Sequence, residues 1–506
     1  MVQTMPFTAD SNWEIVGGCA AKTMDAEQRQ DLALQALAGT FTITHLADQL
    51  HVSRKFVHAQ VDRAEEALEQ AFAATLPADD RVLFSLPVSK RWLRQAVLGL
   101  LLSCHSSYRG VIEFLADCAG VAISLGTIHN IVREAVDKAR LHNTLVPLQH
   151  ISIGLLDEIF QTQLPVLVGI DAGSTYCFLL SQEHNRDAVT WGVRLLELQE
   201  RNFTPDAFVA DFGTGLRAGH ALAFPQQPCR GDVFHALQTV VPVVSALEGR
   251  AYELMSQRQQ LERKAVNYQR RKGRANRTLS QKLPPLRSAE AAAIALADDV
   301  ALLARWLRED VLALAGPSYA DRRVLYDFIV AELRGRASLC PHRLEPLCLF
   351  LENHRDQLLA FAEQLDRDLA ALASNFQVAA ETVRELLRLQ TLSDTSSRRW
   401  HREADLRHLL GDRFHVLQQA VRKLAKRTVR ASSAIENLNS RLRKYFFLRR
   451  QLGSDYLVLL QFFLNHRRFP RSEHKERVGN SPAQLLTGQP HPHWLEMLGY
   501  TRFSPN

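Results

Sequence analysis

The chain has 506 residues and a hydrophobic content of 46%, which excludes wholesale disorder and favours three or four domains. Its formal net charge is +7 at pH 7, and its Lys and Arg residues are concentrated in segments such as 263–264, 270–277 and 422–450. These patches suit a polyanionic partner, although solvated helix faces are the alternative.

Cysteine usage and the terminal sequence bear on the cellular compartment. Seven scattered cysteines form no Cys-x-x-Cys pair, which argues against a zinc ribbon or a disulfide framework and favours a reducing environment. Residues 1–13 lack the pattern of a signal peptide, and no apolar run approaches the roughly 20 residues needed to cross a bilayer. We therefore expect a cytoplasmic protein that does not interact with a membrane.

The N-terminal region predicts two DNA-binding units. Residues 1–25 show little periodicity and predict a loose arm. Residues 26–75 follow the order helix, turn, helix, with Ser53 predicted to cap the second helix. In a helix-turn-helix, that second helix presents its first residues, here Arg54 and Lys55, to the major groove. An ordinary αα-hairpin is the alternative interpretation.

Residues 76–145 repeat the same order. A helix over 107–118, a turn over 119–123 and a helix from Ser124 are predicted. Two such units in tandem favour a bipartite DNA-binding region over a single hairpin.

Residues 146–238 predict a mixed sheet with helices packed on it. We expect a helix from about Leu216 after the fourth of the strands. The predicted strands are residues 151–161, a returning strand over 166–180 interrupted at Gly173, a third over 188–198, a fourth over 207–210 and a short fifth over 229–233.

Strand signals vanish over residues 239–430, where the pattern is helical throughout, so an all-α insertion domain is predicted. Residues 431–470 return as helices, and residues 471–506 form a C-terminal tail with short helical segments. The fold class predicted for the whole chain is multidomain α+β.

Three carboxylates predict a two-metal site. Asp157 lies within the first strand, Asp211 ends the fourth, and Glu436 lies in a helix with Ser433 as its expected cap. If they converge, they offer oxygen ligands to two Mg²⁺ ions, with Mn²⁺ as a substitute. Asp171, after another apolar strand, competes with Asp157 for the first position; we prefer Asp157 because the first, central strand should carry the acid. Turn, cap or surface ion-pair roles are the alternatives.

Basic and aromatic residues surround Glu436. Arg443 lies seven residues after Glu436 and falls on nearly the same helix face. Interleaved aromatics at 445–447 suit stacking of an unpaired base, although at least one of them is expected in the core. The residues predicted to contact phosphates here are Arg427, Arg430, Arg441, Arg443 and Lys444.

Asp232 and His235 form a short acid–histidine pair. Zinc is not expected, because no further His or Cys with ligand spacing lies nearby. We expect this pair to form hydrogen bonds beside the acids, with a structural buried histidine as the alternative.

On these motifs the chain resembles bacterial insertion-sequence transposases of the DDE type. The resemblance rests on Asp157-Glu-Ile-Phe, Val-Ala-Asp211, Asp232-x-x-His235, Glu436 with Arg443, and the C-terminal Asn480-Ser-Pro-Ala-Gln-Leu-Leu. It implies helix-turn-helix units, an RNase H-like core and an all-α insertion before the third acid. It further implies that Asp157, Asp211 and Glu436 bind two Mg²⁺ and catalyse DNA strand cleavage and transfer.

The resemblance also implies partners. These are double-stranded DNA, as terminal inverted repeats and target, and further copies of the chain in a dimer or higher oligomer; the protein would be nucleoid-associated when bound. Some related enzymes carry Tyr and Arg ahead of the glutamate, whereas Ser432 stands there here, which leaves open the second-strand pathway. The alternatives are a domesticated non-catalytic DNA-binding protein and an RNase H-like structure-specific nuclease.

Overall fold

The computed structural model describes residues 20–72, 86–448 and 452–502. It divides the chain into two compact units, one ending at Pro87 and the other beginning at Val88. Most of the predicted N-terminal arm and residues 76–85 lie outside the described residues. Helices predominate, and all the described strands belong to the second unit.

The first unit is a small helical body. Thr42 and Ser53 cap its third and fourth helices, since their hydroxyls accept the backbone N–H of His45 at 3.2 Å and of Phe56 at 3.1 Å. The predicted cap at Ser53 is thus confirmed. A small core includes Leu32, Leu46 and Val57. The helices are α1 (Ala20–Thr23), α2 (Ala26–Leu37), α3 (Ile43–Gln49) and α4 (Arg54–Phe72).

The second unit begins with three helices that share a core with the sheet. Ser107 and Ser124 are the N-cap residues of two of them, close to the predicted starts of these helices. Their buried side chains, such as Leu98 and Ala135, belong to the same hydrophobic cluster as Leu155 of the sheet. These helices therefore belong to one continuous hydrophobic core together with the strands. They are α5 (Lys90–Leu102), α6 (Tyr108–Ala119) and α7 (Leu125–Leu145).

A five-stranded mixed sheet forms the centre of this unit, with the order β3-β2-β1-β4-β5. The first three strands are antiparallel neighbours, whereas β4 pairs parallel with β1 and β5 pairs parallel with β4. The first strand is therefore central, as predicted. The strands are β1 (Ile153–Gln161), β2 (Leu164–Asp171), β3 (Cys177–Gln182), β4 (Ala207–Ala210) and β5 (Cys229–Gly231).

Two of the strand predictions are wrong. The predicted third strand is a helix, α8 (Ala188–Gln199), in which Trp191, Leu195 and Leu198 are buried at helical spacing. Asp187 caps this helix by accepting the N–H of Thr190 at 2.8 Å. The predicted returning strand over 166–180 is two strands, β2 and β3, joined by a turn.

Helix α9 (Thr214–Ala223) follows β4, close to the predicted position. Beyond β5 the described elements are helical as far as Arg427, over most of the stretch where an all-α insertion was predicted. Two hydrophobic clusters support this region, one around Val300 and one around Leu386. Its helices are α10 (Val233–Lys272), α11 (Arg277–Trp306), α12 (Tyr319–Arg336), α13 (Pro341–Phe376), α14 (Ala380–Leu389), α15 (Ser397–Leu410) and α16 (Arg413–Arg427).

The chain then returns to the sheet. Asn465 is completely buried, and its side-chain amide pairs with the backbone of Cys177 in β3, accepting the N–H at 2.7 Å and donating to the carbonyl at 2.9 Å. This amide fixes the last long helix against β3, the edge strand of the sheet. The last helices are α17 (Ser433–Leu448), α18 (Gly453–His466), α19 (Pro482–Thr487) and α20 (Trp494–Met497). Among the described helices, none has the length and apolarity needed to span a bilayer.

Candidate metal centre

Three aspartates stand at one level on three adjacent parallel strands. Leu156 of β1 is paired with Ala210 of β4, which in turn is paired with Gly231 of β5. The residues that follow each of these are Asp157, Asp211 and Asp232. Since neighbouring strands lie about 4.8 Å apart, the register alone places the three carboxylates side by side at the carboxyl ends of β4 and β5.

Asp157 is held from two sides. Its Oδ1 accepts the N–H of Glu158 at 2.8 Å, and its Oδ2 accepts the side-chain amide of Asn439 at 2.7 Å. Only 5% of Asp157 is exposed, and this burial raises the pKa of its carboxyl to about 7. Asn439 lies on α17 one turn after Glu436, so the same helix supplies the third acid and the amide that orients the first.

Asp211 lies at the open end of β4. Its Oδ1 accepts the N–H of Gly213 at 3.0 Å, which closes a tight turn into α9. Arg217 donates to the carbonyl of Asp211 at 2.8 Å and also to the carbonyls of Ala210 and Cys229. The guanidinium of Arg217 thus ties the ends of β4 and β5 together beneath the acids, a role that was not predicted.

Glu436 reaches the sheet from the first turn of α17. Its Oε1 lies 3.5 Å from Nε2 of His235. Asp157, His235 and Glu436 each offer one ligand atom, and these three atoms lie within 4.8 Å of one another. Within the described structure Asp211 does not belong to this set, but it flanks Asp157 on the neighbouring strand.

Asp232 serves as the support behind His235. It is completely buried. Its Oδ1 caps α10 by accepting a hydrogen bond from the N–H of Phe234 at 2.8 Å, and its Oδ2 accepts one from Nδ1 of His235 at 2.6 Å. Burial by itself raises the pKa of Asp232, but the hydrogen bonds from His235 and Ser432 outweigh it and bring the pKa below its usual range. The hydrogen bond to Asp232 in turn raises the pKa of His235 to about 9. The ring of His235 is therefore an imidazolium, and its Nε2 faces Glu436.

The two ends of the helical insertion meet at this site. The hydroxyl of Ser432 donates to Oδ2 of Asp232, and its backbone N–H donates to Oδ1 at 3.2 Å. The N–H of Val233 donates to the carbonyl of Arg430 at 3.0 Å. These contacts set the starts of α10 and α17 side by side, which places Glu436 next to the sheet after a long excursion of the chain. Ser433, the expected cap, is the first residue of the helix.

Asp171 lies apart from these groups. It ends β2 opposite Gly154, which is three residues, or about 10 Å, along β1 from Asp157. Its Oδ2 accepts both the N–H and the hydroxyl of Ser174 at 2.6 Å, which is the geometry of a turn residue. The structure thus brings Asp157 and Glu436 together and leaves Asp171 in a separate turn.

The predicted phosphate-binding cations divide into two groups. Arg430 and Arg441 are largely withdrawn from solvent: burial lowers the pKa of each, and Nη1 of Arg430 donates to the carbonyl of Leu312 at 2.6 Å. Both are therefore less exposed than the other predicted cations, and Arg430 already has a protein partner. The exposed cations are Arg54 and Lys55 in the first unit and Arg427, Arg443 and Lys444 in the second.

The aromatic residues at the end of α17 also divide. The hydroxyl of the buried Tyr445 donates to the carbonyl of Leu102 at 2.5 Å, so this ring belongs to the core. Phe447 is 91% exposed and remains a candidate for base stacking.

The donor set fits a hard divalent cation. Aspartate and glutamate oxygens are the ligands that Mg²⁺ and Mn²⁺ prefer, and the buried Asp157 carboxyl would be stabilised as the anion by a cation. Oδ1 of Asn439 is buried and has no hydrogen-bond partner among the described residues, so a polar atom beside Asp157 is left for a bound group.

Comparison with protein-family models finds none that matches the chain, and comparison with curated proteins finds no match either. The geometry of these side chains is therefore the guide to function.

Proposed function

We propose that the chain is a DDE-type DNA transposase, in which Asp157, Asp211 and Glu436 hold two Mg²⁺ ions for cleavage and transfer of DNA strands. The observation that carries this proposal is the convergence of Asp157 and Glu436 beside Asp211. Asp157 and Asp211 follow paired residues of parallel strands, and the helix of Glu436 is joined to Asp157 by Asn439.

The metal chemistry explains why three acids are needed and why no protein nucleophile is. Mg²⁺ bound by Asp157, Asp211 and Glu436 would supply a lowered pKa for an attacking water or 3′-hydroxyl and would neutralise charge on the scissile phosphate. The chain's own part is to fix the ligands. Asn439 and the N–H of Glu158 orient Asp157, and the turn at Gly213 orients Asp211.

His235 contributes positive charge at the same place. Asp232 holds a proton on Nδ1, and the raised pKa keeps the ring protonated at neutral pH. Its Nε2–H is directed toward Glu436 and suits donation to a phosphate oxygen placed between them. Asp232 itself has no oxygen left for a metal, because both already accept hydrogen bonds, and the protonated ring of His235 suits a phosphate oxygen.

Other features support DNA as the substrate. Arg443 and Lys444 are exposed on the helix that carries Glu436, and Arg54 and Lys55 are exposed at the start of α4. A central sheet with three antiparallel strands and two parallel ones, followed by helices, supports an RNase H-like core. Two exposed basic regions suit recognition of an element end separately from the chemistry.

The test is cleavage of DNA fragments that carry the sequences flanking the reading frame in its genome. We expect Mg²⁺- or Mn²⁺-dependent nicking at the element ends and joining to target DNA. Asp211→Asn and Glu436→Gln should each lower the rate of cleavage by more than about 100-fold. A gel shift should show unchanged DNA binding by both variants. Asp171→Asn is the matched control and should cleave normally.

The outcomes separate the competing functions. Unchanged cleavage by Glu436→Gln would overturn the site assignment. Sequence-specific binding without cleavage by the unaltered protein would indicate a non-catalytic DNA-binding protein. Cleavage that follows DNA structure and ignores the end sequences would indicate a nuclease.

A further inference from the structure

A large groove opens at the opposite end of the parallel strands from the acids. Its floor is formed by residues at the beginnings of β1, β4 and β5, including Ser152, Asp206 and Pro228. Helices α13 and α16 of the insertion form the other wall, and the cavity volume is about 1080 Å³. This volume is enough for a nucleotide or a short stretch of a single strand.

Arg230 is the most informative residue in this groove. It lies in β5, two residues before Asp232, and only 9% of it is exposed. Across residues 20–72, 86–448 and 452–502, no hydrogen bond or ion pair is found for its guanidinium. Burial lowers its pKa, and the carboxylates of Asp368 and Asp206 oppose this only from beyond ion-pair distance. A buried, unpaired guanidinium is costly, so a bound anion would relieve a penalty that the protein otherwise carries.

Further cations converge on the same cavity. Lys423 and Arg427 are four residues apart on α16 and therefore lie on one face of that helix. Arg367 of α13 also lines the groove.

Carboxylates also line the groove, but they do not cancel its charge. Asp171 is occupied by Ser174, and Asp368 accepts the side-chain amide of Gln364 at 2.9 Å. The cations of the lining outnumber its three carboxylates, and the most deeply placed of these cations, Arg230, has no hydrogen-bond or ion-pair partner among the described residues.

We propose that this groove binds a phosphate group, either of a free nucleotide or at the end of a nucleic acid strand, with Arg230 as its deepest contact. A guanidinium matches phosphate in a forked, two-bond geometry, and lysine and arginine at the rim supply the remaining charge. The position of Arg230 below the surface selects a terminal or small phosphate over the backbone of an intact duplex, which is too wide to reach it. The site is separate from the acids and does not depend on the proposed transposase activity.

The binding experiment uses the full chain with Asp157→Asn and with EDTA present, so that the metal centre takes no part. Inorganic phosphate, adenosine 5′-monophosphate, and 5′-phosphorylated and 5′-hydroxyl forms of one short single strand are titrated by calorimetry. We expect saturable binding of the phosphorylated ligands by the parent protein. Binding should be at least about tenfold weaker in Arg230→Gln and in a double variant that combines Lys423→Gln and Arg427→Gln. Arg422→Gln, an exposed neighbour on α16 that does not line the groove, is the matched control and should bind normally.

Thermal unfolding gives a second readout that is independent of affinity. Without ligand, Arg230→Gln should melt no lower than the parent, since it removes an unpaired buried charge. Phosphate should raise the Tm of the parent and leave that of Arg230→Gln unchanged. If Arg230→Gln does not fold, the α16 variants decide the question alone.

The two sources of phosphate are distinguished by the strands. Equal binding of both strands together with tight binding of the mononucleotide identifies a free nucleotide site, whereas a preference for the 5′-phosphorylated strand identifies a strand-end site. Absence of saturable binding by every phosphorylated ligand overturns the proposal. Equal loss in Arg422→Gln and in the double variant of Lys423 and Arg427 overturns it too, because general charge would then explain the binding.

Discussion

Ser432 donates both its hydroxyl and its backbone N–H to the carboxylate of Asp232, a residue two hundred positions earlier in the chain. This contact joins the two points at which the chain leaves and re-enters the sheet region. Because Asp232 also holds His235, one buried carboxylate connects the third acid's helix to the imidazolium that faces it.

Replacing Ser432 by alanine should therefore destabilise the protein and weaken catalysis together. Loss of a hydrogen bond to a buried carboxylate costs about 1.5–3 kcal/mol. Urea denaturation measures this cost, and Ser433→Ala, exposed and adjacent, should change stability by less than about 0.5 kcal/mol. Equal stability of the two variants would show that the Ser432 hydroxyl contributes nothing to this connection.

Asn439→Asp should make the stability of the protein depend on a divalent cation. The new carboxylate would face the buried Asp157, with Glu436 one turn away, and like charges at this distance repel. We expect a Tm lower than that of the parent in EDTA and a larger rise on addition of Mn²⁺. Thermal melts with and without metal check this, and an unchanged melting temperature in EDTA argues against the contact.

Metal binding should itself stabilise the unaltered protein. A ligand present at 100 times its Kd contributes about 2.7 kcal/mol to folding. The Tm should rise with Mg²⁺ or Mn²⁺, and Asp157→Asn and Glu436→Gln should remove most of that rise. Asp171→Asn should lose some stability through its Ser174 hydrogen bonds but keep the full response to metal. A response that survives Glu436→Gln would place the metal elsewhere.

The two buried histidines His220 and His466 should withdraw stability as the pH is lowered from about 7 to 5, whereas the raised pKa of Asp157, about 7, acts in the opposite direction. Burial lowers the pKa of His220 and of His466 to about 4, below the ordinary value of 6.5. Both rings are neutral when folded, so their contribution is present above pH 6.5 and is lost as the unfolded chain gains protons below it. The loss is about 2 kcal/mol per histidine at pH 5.

Urea denaturation at the two pH values measures this slope. His466→Gln, which keeps a donor for the carbonyl of Phe462, should remove the share of His466, about 2 kcal/mol, from the change in stability between pH 7 and 5. A slope that is unchanged in this variant would show that other groups govern the acid sensitivity.

The first unit should contribute DNA affinity through Arg54 and Lys55. Replacing both by glutamine should weaken binding and reduce the slope of log K against log salt by about 2, because each phosphate contact releases a counterion. Fluorescence anisotropy over a salt series measures this. Arg63→Gln, exposed farther along α4, should leave the slope unchanged.

Asp211 could be singled out in the sequence because it ends an apolar run, where a strand exposes its side chains, whereas Asp157 lies within a strand and Glu436 within a helix. The contacts that hold these acids could not be singled out in this way, since Arg217, Ser432 and Asn439 acquire their partners only through tertiary packing. Asn439 lies three residues after Glu436, so helical spacing puts the two side chains close together, but this spacing carries no information about Asp157.

The helix α8 was mistaken for a strand for a physical reason. Val189, Trp191, Val193 and Leu195 alternate with smaller or polar residues, so the segment satisfies a period of two as well as a helical one. Asp187 followed by Thr190 was the available signal, because an aspartate that accepts the third N–H begins a helix.

The 40 residues of α10 extend about 60 Å from the site, and His235 lies in the first turn of this helix. Pro242, two turns beyond His235, removes a backbone hydrogen bond and makes that point the easiest place to bend. A bend of 5° there would displace the far tip by about 4 Å and leave the first two turns in place. The helix therefore separates His235 from movements of its distant end.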